Sequence, residues 1–160
     1  MHRIASILAV VVAAAVMACV GAGSATSQPQ LPKFSTTGDN FGTFGDHDFC
    51  RGTVNLGLTA PKGKHGVVRV TLTSFGFVGN GRGWARRPVC RVLMVATQTS
   101  GNSVLKQTPM PAAFGPRRGD RVTRDIVTGP GVALISVIPY TTKLPRISQG
   151  NGAGAYVLVP

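Results

Sequence analysis

The sequence predicts an all-β fold, built as an antiparallel β-sandwich or a small barrel. Apolar residues recur at every second position in several short segments, and Gly, Pro or Asn residues separate these segments. Beyond the first 27 residues, no segment shows the 3.6-residue apolar period of an amphipathic helix. Repeated short strands without helices are typical of two packed antiparallel sheets or of one sheet closed on itself.

The start of the chain predicts a cleaved secretory signal helix. Residues 1–3 are basic, residues 4–20 carry no charged side chain, and residues 21–27 are small or polar. This order suits a translocon, which accepts an apolar segment, and a peptidase, which cleaves after small residues. An uncleaved anchor or a buried helix is the alternative for the apolar segment. The expected division is a signal peptide at 1–27, an extended polar arm at 28–49 and a single β domain at 50–160.

Alternating apolar residues predict the first two strands of the β domain. Residues 53–58 alternate between apolar and polar or small side chains, as in a strand with one buried face. Residues 61–66 contain Pro and Gly and favour a turn, after which residues 68–72 alternate again. The alternation changes phase at Ser74. Since a shift of one residue reverses the two faces of a strand, we expect a β-bulge or a strand break there.

The second half of the chain contains further strand signals. Residues 90–99 are apolar on both faces, which predicts a strand in the centre of a sheet. Other strands are predicted at residues 104–105, 121–127, 132–140 and 155–159. We interpret the segments 121–127 and 132–140 as a pair joined across the turn Gly129-Pro130-Gly131.

The predicted sandwich resembles the immunoglobulin domain in architecture only. An immunoglobulin domain has its core Trp well between its two cysteines, but Trp84 lies only six residues before Cys90. The resemblance therefore implies two packed antiparallel sheets and no membership of that family.

The cysteines predict one disulfide and an oxidising compartment. Cys19 lies in the signal segment, so Cys50 and Cys90 remain as an even pair in the exported chain. Two buried free thiols are the alternative. The sequence Val16-Met17-Ala18-Cys19 also resembles a lipoprotein box, in which the cysteine is lipidated. We expect a secreted or cell-envelope-associated protein, with lipid anchoring at Cys19 as the alternative to simple secretion.

The charge of the chain indicates the kind of partner. The chain has 17 Lys and Arg residues against five acidic ones and a formal net charge of +12, which becomes +11 when Arg3 leaves with the signal segment. Such a charge attracts polyanions over about a Debye length. We expect an anionic cell-envelope polymer or an acidic glycan as partner; the alternative is a cationic surface that only confers solubility.

The abundance of Arg, Gly and Ala is typical of a GC-rich bacterial source.

Two groups of arginines are the candidate anion-binding residues. One group surrounds Trp84 and the other surrounds Gly119. Arginine binds phosphate or carboxylate with two parallel hydrogen bonds and stacks on aromatic rings. Together with Trp84, the candidates are Arg82, Arg86, Arg87, Arg91, Arg117, Arg118, Arg121 and Arg124. The alternative is that these arginines lie in solvated loops while Trp84 covers the core.

Few residues of the exported chain favour catalysis. Asp46-His47-Asp48 is the densest group of titratable side chains, and it would serve a small secreted hydrolase or a metal-dependent enzyme. Two adjacent ligands do not complete a four-ligand metal site, and no G-x-S-x-G motif presents a serine nucleophile. We therefore interpret the cluster as a loop whose aspartates cap turns, and we expect no metal, no cofactor and no catalytic residue.

Nucleic-acid and membrane-spanning functions find little support. Phe75-Gly76-Phe77-Val78 matches the middle of the RNA-recognition signature, but the flanking residues differ, so we expect both phenylalanines in the core. No second apolar run approaches the roughly 20 residues that span a bilayer. Our hypothesis is an exported, non-catalytic β domain that binds anionic polymers. A hydrolase and a structural or protein-partner domain are the alternatives.

Overall fold

A computed structural model describes residues 28–160; the expected signal segment, including Cys19, lies outside this range. The elements are β1 (Lys33–Ser35), β2 (Asn40–Phe44), β3 (Arg51–Thr59), β4 (Val67–Val78), α1 (Gly81–Arg86), β5 (Cys90–Ser100), β6 (Ser103–Phe114), β7 (Arg121–Val127), β8 (Gly131–Tyr140) and β9 (Ala153–Val159). Within this range, no helix has the length and apolar character needed to cross a membrane.

The strands form two antiparallel sheets. One sheet has five strands in the order β1-β9-β8-β5-β6, and the other has four in the order β2-β3-β4-β7. All strand pairs described within these sheets are antiparallel. The prediction of an all-β, antiparallel fold is therefore confirmed.

Alternate residues of the two sheets enclose one core. Val54 of β3, Met94 of β5 and Ile135 of β8 are all buried in it. The rings of Phe77 and Phe114, one from each sheet, stack with their centroids 5.2 Å apart. Burying a large apolar side chain stabilises a fold by about 1.5–3 kcal/mol. Packing between the sheets is therefore the main source of stability in the described domain.

The change of phase at Ser74 is a β-bulge, as predicted. Val54 pairs with Ser74 but Gly52 pairs with Phe77, so β4 contains one extra residue at this point. Phe77 consequently points into the core, whereas Phe75 is exposed. The expectation that both phenylalanines belong to the core is wrong for Phe75, because it precedes the extra residue and keeps the outward phase of the strand.

Residues 28–49, which we expected to form an extended polar arm, contain two strands of the sheets. β1 pairs with β9 of the five-stranded sheet, and β2 pairs with β3 of the four-stranded sheet. Both strands are short, with three and five residues, and both lie at an edge. Short edge strands bury few side chains, so their alternation is hard to detect in the sequence.

The predicted pairing of residues 121–127 with residues 132–140 is wrong. β7 pairs with β4, whereas β8 pairs with β5 and β9 in the other sheet. The turn Gly129-Pro130-Gly131 therefore crosses between the sheets. Alternation reveals that a segment is a strand, but it does not identify the partner of that strand.

The strand predicted at residues 104–105 is much longer in the structure. β6 continues to Phe114 and includes Pro109 and Pro111. Proline is compatible with an edge strand, where its nitrogen can face away from the neighbouring strand. Because proline is rare in central strands, Pro109 and Pro111 made the sequence pattern of β6 unlike that of a strand.

Cys50 and Cys90 form the predicted disulfide, and this bond joins the two sheets. Cys50 immediately precedes β3, and Cys90 is the first residue of β5. Their Cα atoms lie 5.7 Å apart, and both residues are fully buried. Gly45 packs against the bond so closely that a Cβ atom there would overlap the sulfur of Cys90. The disulfide thus lies at the ends of the sheets, under the loop between β2 and β3.

We expect the variant Cys50→Ala/Cys90→Ala to unfold with a free energy about 4 kcal/mol lower than that of the oxidised protein. The crosslink closes a loop with a sequence separation of 40 and so restricts the unfolded chain. Urea unfolding followed by circular dichroism measures the difference. The wild-type protein in reductant should approach the stability of the variant. Equal stability in the presence and absence of reductant would contradict the prediction.

Candidate functional site

The alternating directions of the strands bring four loops to one end of the molecule. β3, β5, β7 and β9 begin at the end where β2, β4, β6 and β8 finish, because neighbouring strands are antiparallel and the disulfide joins the starts of β3 and β5. We call this end the disulfide pole. It comprises the loops at residues 45–50, 79–89, 115–120 and 141–152 and the adjacent strand ends.

The loop between β2 and β3 connects the parts of the disulfide pole. The backbone N–H of Asp46 donates to the carbonyl oxygen of Arg91 at 3.1 Å, and that of Asn80 donates to the carbonyl oxygen of Asp48 at 2.7 Å. The same loop therefore contacts the start of β5 and the segment that leads into α1. These contacts join three segments of the disulfide pole into one surface.

The first arginine group lies on α1, directly after it, and at the start of β5. Arg82, Arg86, Arg87 and Arg91 are all exposed. Trp84 is half-buried against the core, and its ring packs on Gly79, where a Cβ atom would lie 2.5 Å from the indole. The structure thus separates the tryptophan, which faces inward, from the arginines, which face solvent.

The second group begins in the loop between β6 and β7, which packs on the bulge of β4. The N–H of Gly119 donates to the carbonyl oxygen of Ser74 at 2.8 Å. The guanidinium of Arg118 lies 5.1 Å from the centroid of the exposed Phe75 ring. Arg117 is exposed in the same loop. The bulge therefore places this loop at the disulfide pole.

Arg121 and Arg124 lie on opposite sides of β7. Arg121 begins the strand and pairs with Thr73, whereas Arg124 pairs with Val70 further along. They are three residues apart, and successive side chains of a strand alternate between its two faces. The structure therefore brings Arg121 to the disulfide pole with the other candidates, but it does not bring Arg124 there.

Carboxylates do not neutralise these arginines. The ion pairs described among residues 28–160 are formed by Lys33, His47, Lys64 and Arg69 with aspartates. None of the candidate arginines belongs to such a pair. Because guanidinium stays protonated at any physiological pH, the exposed arginines at the disulfide pole present uncompensated positive charge.

The sequence interpretation missed three basic residues at the same pole. Arg51 begins β3, where its guanidinium lies 5.0 Å from the ring centroid of Phe49. Lys143 and Arg146 are exposed in the loop between β8 and β9. Strand directions would have revealed them, because every second loop of an antiparallel fold lies at the same end.

Asp46 is a structural anchor for the loop between β8 and β9. Its carboxylate accepts hydrogen bonds from the backbone N–H and the hydroxyl of Thr142, and from Nε2 of Gln149 at 3.2 Å. Burial by itself would raise the pKa of Asp46, but hydrogen bonds from Thr142 and Thr141 and the charge of Lys143 lower that pKa below its ordinary value. Asp46 therefore holds two loops of the disulfide pole together.

The other members of the Asp46-His47-Asp48 cluster also make local contacts. Nδ1 of His47 lies 2.8 Å from a carboxylate oxygen of Asp48, and Asp48 packs against Gly83 of α1. Within residues 28–160, no three His, Cys, Asp or Glu side chains are grouped as metal ligands would be. The cluster therefore lies in a loop, where the Asp46 carboxylate binds a distant loop and the Asp48 carboxylate contacts His47; neither carboxylate caps a turn of its own segment.

No protein family matches the chain, and neither a curated protein nor a solved structure resembles it significantly.

We expect Asp46→Asn to reduce the acid sensitivity of the fold. The pKa of Asp46 is lowered from 3.8 in the folded state, so its stabilising contribution is present above the unfolded pKa and is lost as the pH falls through the folded pKa. The free energy of unfolding, measured at about pH 6 and about pH 3, should therefore fall less in the variant. The ion pair of Asp125 with Arg69 is present in both proteins, so its contribution to the acid sensitivity cancels in the comparison. An equal fall in both would contradict the prediction.

Gly76→Ala should destabilise the protein by about 1–3 kcal/mol. Gly76 has a φ of +99°, and a Cβ atom there would lie 2.6 Å from the carbonyl oxygen of Pro116. The matched control is Gly42→Ala in β2, where a Cβ atom meets nothing within 4 Å. Thermal unfolding compares the two variants. If Gly76→Ala were as stable as the control, the loop between β6 and β7 would not pack on β4 as described.

Proposed function

We propose that this protein is an exported, non-catalytic binding domain of the cell envelope that holds an anionic polymer or an acidic glycan at its disulfide pole. The observation that carries the proposal is the convergence of exposed, unpaired arginines from separate segments on one end of the fold. Arginine presents a planar fork of donors to phosphate or carboxylate, so an extended polyanion can contact several loops at once.

The distribution of charge supports this proposal. The basic residues at the disulfide pole are Arg51, Arg82, Arg86, Arg87, Arg91, Arg117, Arg118, Arg121, Lys143 and Arg146. The aspartates there already have hydrogen-bond partners: Asp46 binds Thr142, Asp48 binds His47, and Asp120 accepts from the N–H of Gly115 at 2.6 Å. These three aspartates keep their negative charge, but the ten basic residues outnumber them, and an excess of positive charge raises the local concentration and the association rate of anionic ligands.

Export is supported by the chemistry of the cysteines. Disulfides persist in oxidising compartments and are rare in reduced cytosol, and the bond between Cys50 and Cys90 is buried at the centre of the disulfide pole. Together with the signal-like order of residues 1–27, this bond favours a site of action outside the cytoplasm.

We further propose that the two sheets form an immunoglobulin-like sandwich. The strands β3 to β9 can be lettered A, B, C, C′, E, F and G in chain order. One sheet then contains the order A-B-E and the other the order G-F-C-C′. In an immunoglobulin domain, the strands with these letters are also neighbours in their sheets. The loops B–C and F–G then lie at the disulfide pole. In variable domains these loops belong to the binding end, and this supports the same assignment here.

We expect the variant Arg86→Gln/Arg87→Gln/Arg117→Gln to bind a teichoic-type polymer about tenfold more weakly, because it removes three uncompensated charges from the disulfide pole. The affinity of the exported, oxidised protein is measured by titration at low and high salt. Binding should weaken as salt rises, since the charges are exposed.

The matched control is Lys62→Gln/Lys106→Gln/Arg124→Gln, which removes the same charge from residues away from the disulfide pole. We expect its affinity to stay within about twofold of the wild type. Equal losses in the two triple variants would show that only net charge matters. Absent or salt-independent binding would favour the structural or protein-partner domain instead.

A further inference from the structure

The disulfide pole also exposes large apolar side chains, which an anionic polymer in water would leave uncovered. Leu144 is 86% exposed at the tip of the loop between β8 and β9, and Phe49 is 61% exposed in the loop between β2 and β3. Phe44 and Ile147 are exposed beside them. We call Phe44, Phe49, Leu144 and Ile147 the apolar tip. Together with Pro145 they line an open groove of about 610 Å³.

Several contacts hold the apolar tip together. The rings of Phe44 and Phe49 lie 5.4 Å apart between centroids. Two contacts hold the loop between β8 and β9 in place. The N–H of Phe44 donates to the carbonyl oxygen of Gln149 at 2.8 Å near the end of this loop, and Asp46 binds Thr142 near its start. The apolar tip is therefore part of the folded surface.

Basic side chains lie beside the apolar tip. Arg51 lies over the ring of Phe49, and Lys143 and Arg146 flank Leu144 in the sequence. The loop between β2 and β3, which carries Phe49, also binds the backbone of Arg91 and the segment that leads into α1. Exposed apolar side chains next to unpaired cations are the pattern of a surface that lies in a membrane interface.

We propose that the disulfide pole docks on an anionic lipid bilayer, with the apolar tip in the headgroup–acyl boundary and the adjacent arginines and lysines on lipid phosphates. The inference rests on the proposed function, because the same basic residues bind the anion. A bilayer interface accepts both parts of the surface at once: it removes apolar side chains from water, and its negative potential attracts juxtaposed cations. The long stems of Arg and Lys allow their charged groups to reach the phosphates while the tip lies deeper.

The test compares vesicles of phosphatidylcholine with vesicles that also contain phosphatidylglycerol. The exported, oxidised wild-type protein should sediment with the anionic vesicles and much less with the neutral ones. Leu144→Ser/Ile147→Ser should bind anionic vesicles about tenfold more weakly, yet bind the soluble polymer as well as the wild type does. Leu144→Ala alone should show a smaller loss in the same direction.

The matched control is Val132→Ser/Leu158→Ser on the outer face of the five-stranded sheet. These two residues pair across β8 and β9 and are also exposed, but they lie away from the disulfide pole. We expect vesicle binding by this control to stay within about twofold of the wild type. The substituted side chains of both double variants are exposed, so their unfolding midpoints should remain close to that of the wild type.

The outcomes separate this inference from the proposed function. If the wild type binds soluble polymer but not anionic vesicles, or if the tip variant retains full vesicle binding, the lipid inference is wrong and the proposed function stands. If the tip variant loses polymer binding equally, the tip contacts the polymer and the lipid inference is again wrong. If neither polymer nor vesicles bind, both proposals fall.

Discussion

The covalent link between the two sheets is the constraint on which the disulfide pole depends. Cys50 and Cys90 fix the start of β3 against the start of β5, and Gly45 leaves room for the loop between β2 and β3 to cover the bond. That loop then binds the segment before α1 and, through Asp46, the loop between β8 and β9. The segment before α1 and the loop between β8 and β9 are far apart in the sequence, and they share one surface because each contacts the same short loop.

The sequence predicted the class of the fold, the disulfide and the bulge, because each depends on local information. Alternation reveals a half-buried strand, the two cysteines beyond the signal-like segment form an even pair, and a change of phase at Ser74 requires an extra residue. Pairing is not local in this way. The segments at β7 and β8 alternate like partners but belong to different sheets, and β1, β2 and β6 lack the apolar periodicity of central strands.

The candidate arginines were found from their clustering in the sequence, whereas their arrangement depends on strand direction. Arg124 belongs to the second cluster in the sequence. In the structure its side chain is on the face of β7 opposite to that of Arg121, because successive side chains of a strand alternate between the two faces. Arg51 and Arg146 stand apart from both clusters in the sequence and reach the same end only because β3 starts there and β8 ends there. Trp84 looked like the centre of its group, yet its size and apolar ring place it against the core.

The edges of the two sheets affect how neighbouring molecules of this chain can pair with one another. An unpaired strand edge can recruit a strand from another molecule, and crowding increases the number of such encounters. Here β6 carries Pro109 and Pro111, and β7 carries charged side chains, while β1 and β2 are only three and five residues long. Proline, charge and short length each prevent the extension of a sheet. The edges of the two sheets therefore disfavour strand pairing between neighbouring molecules of this chain.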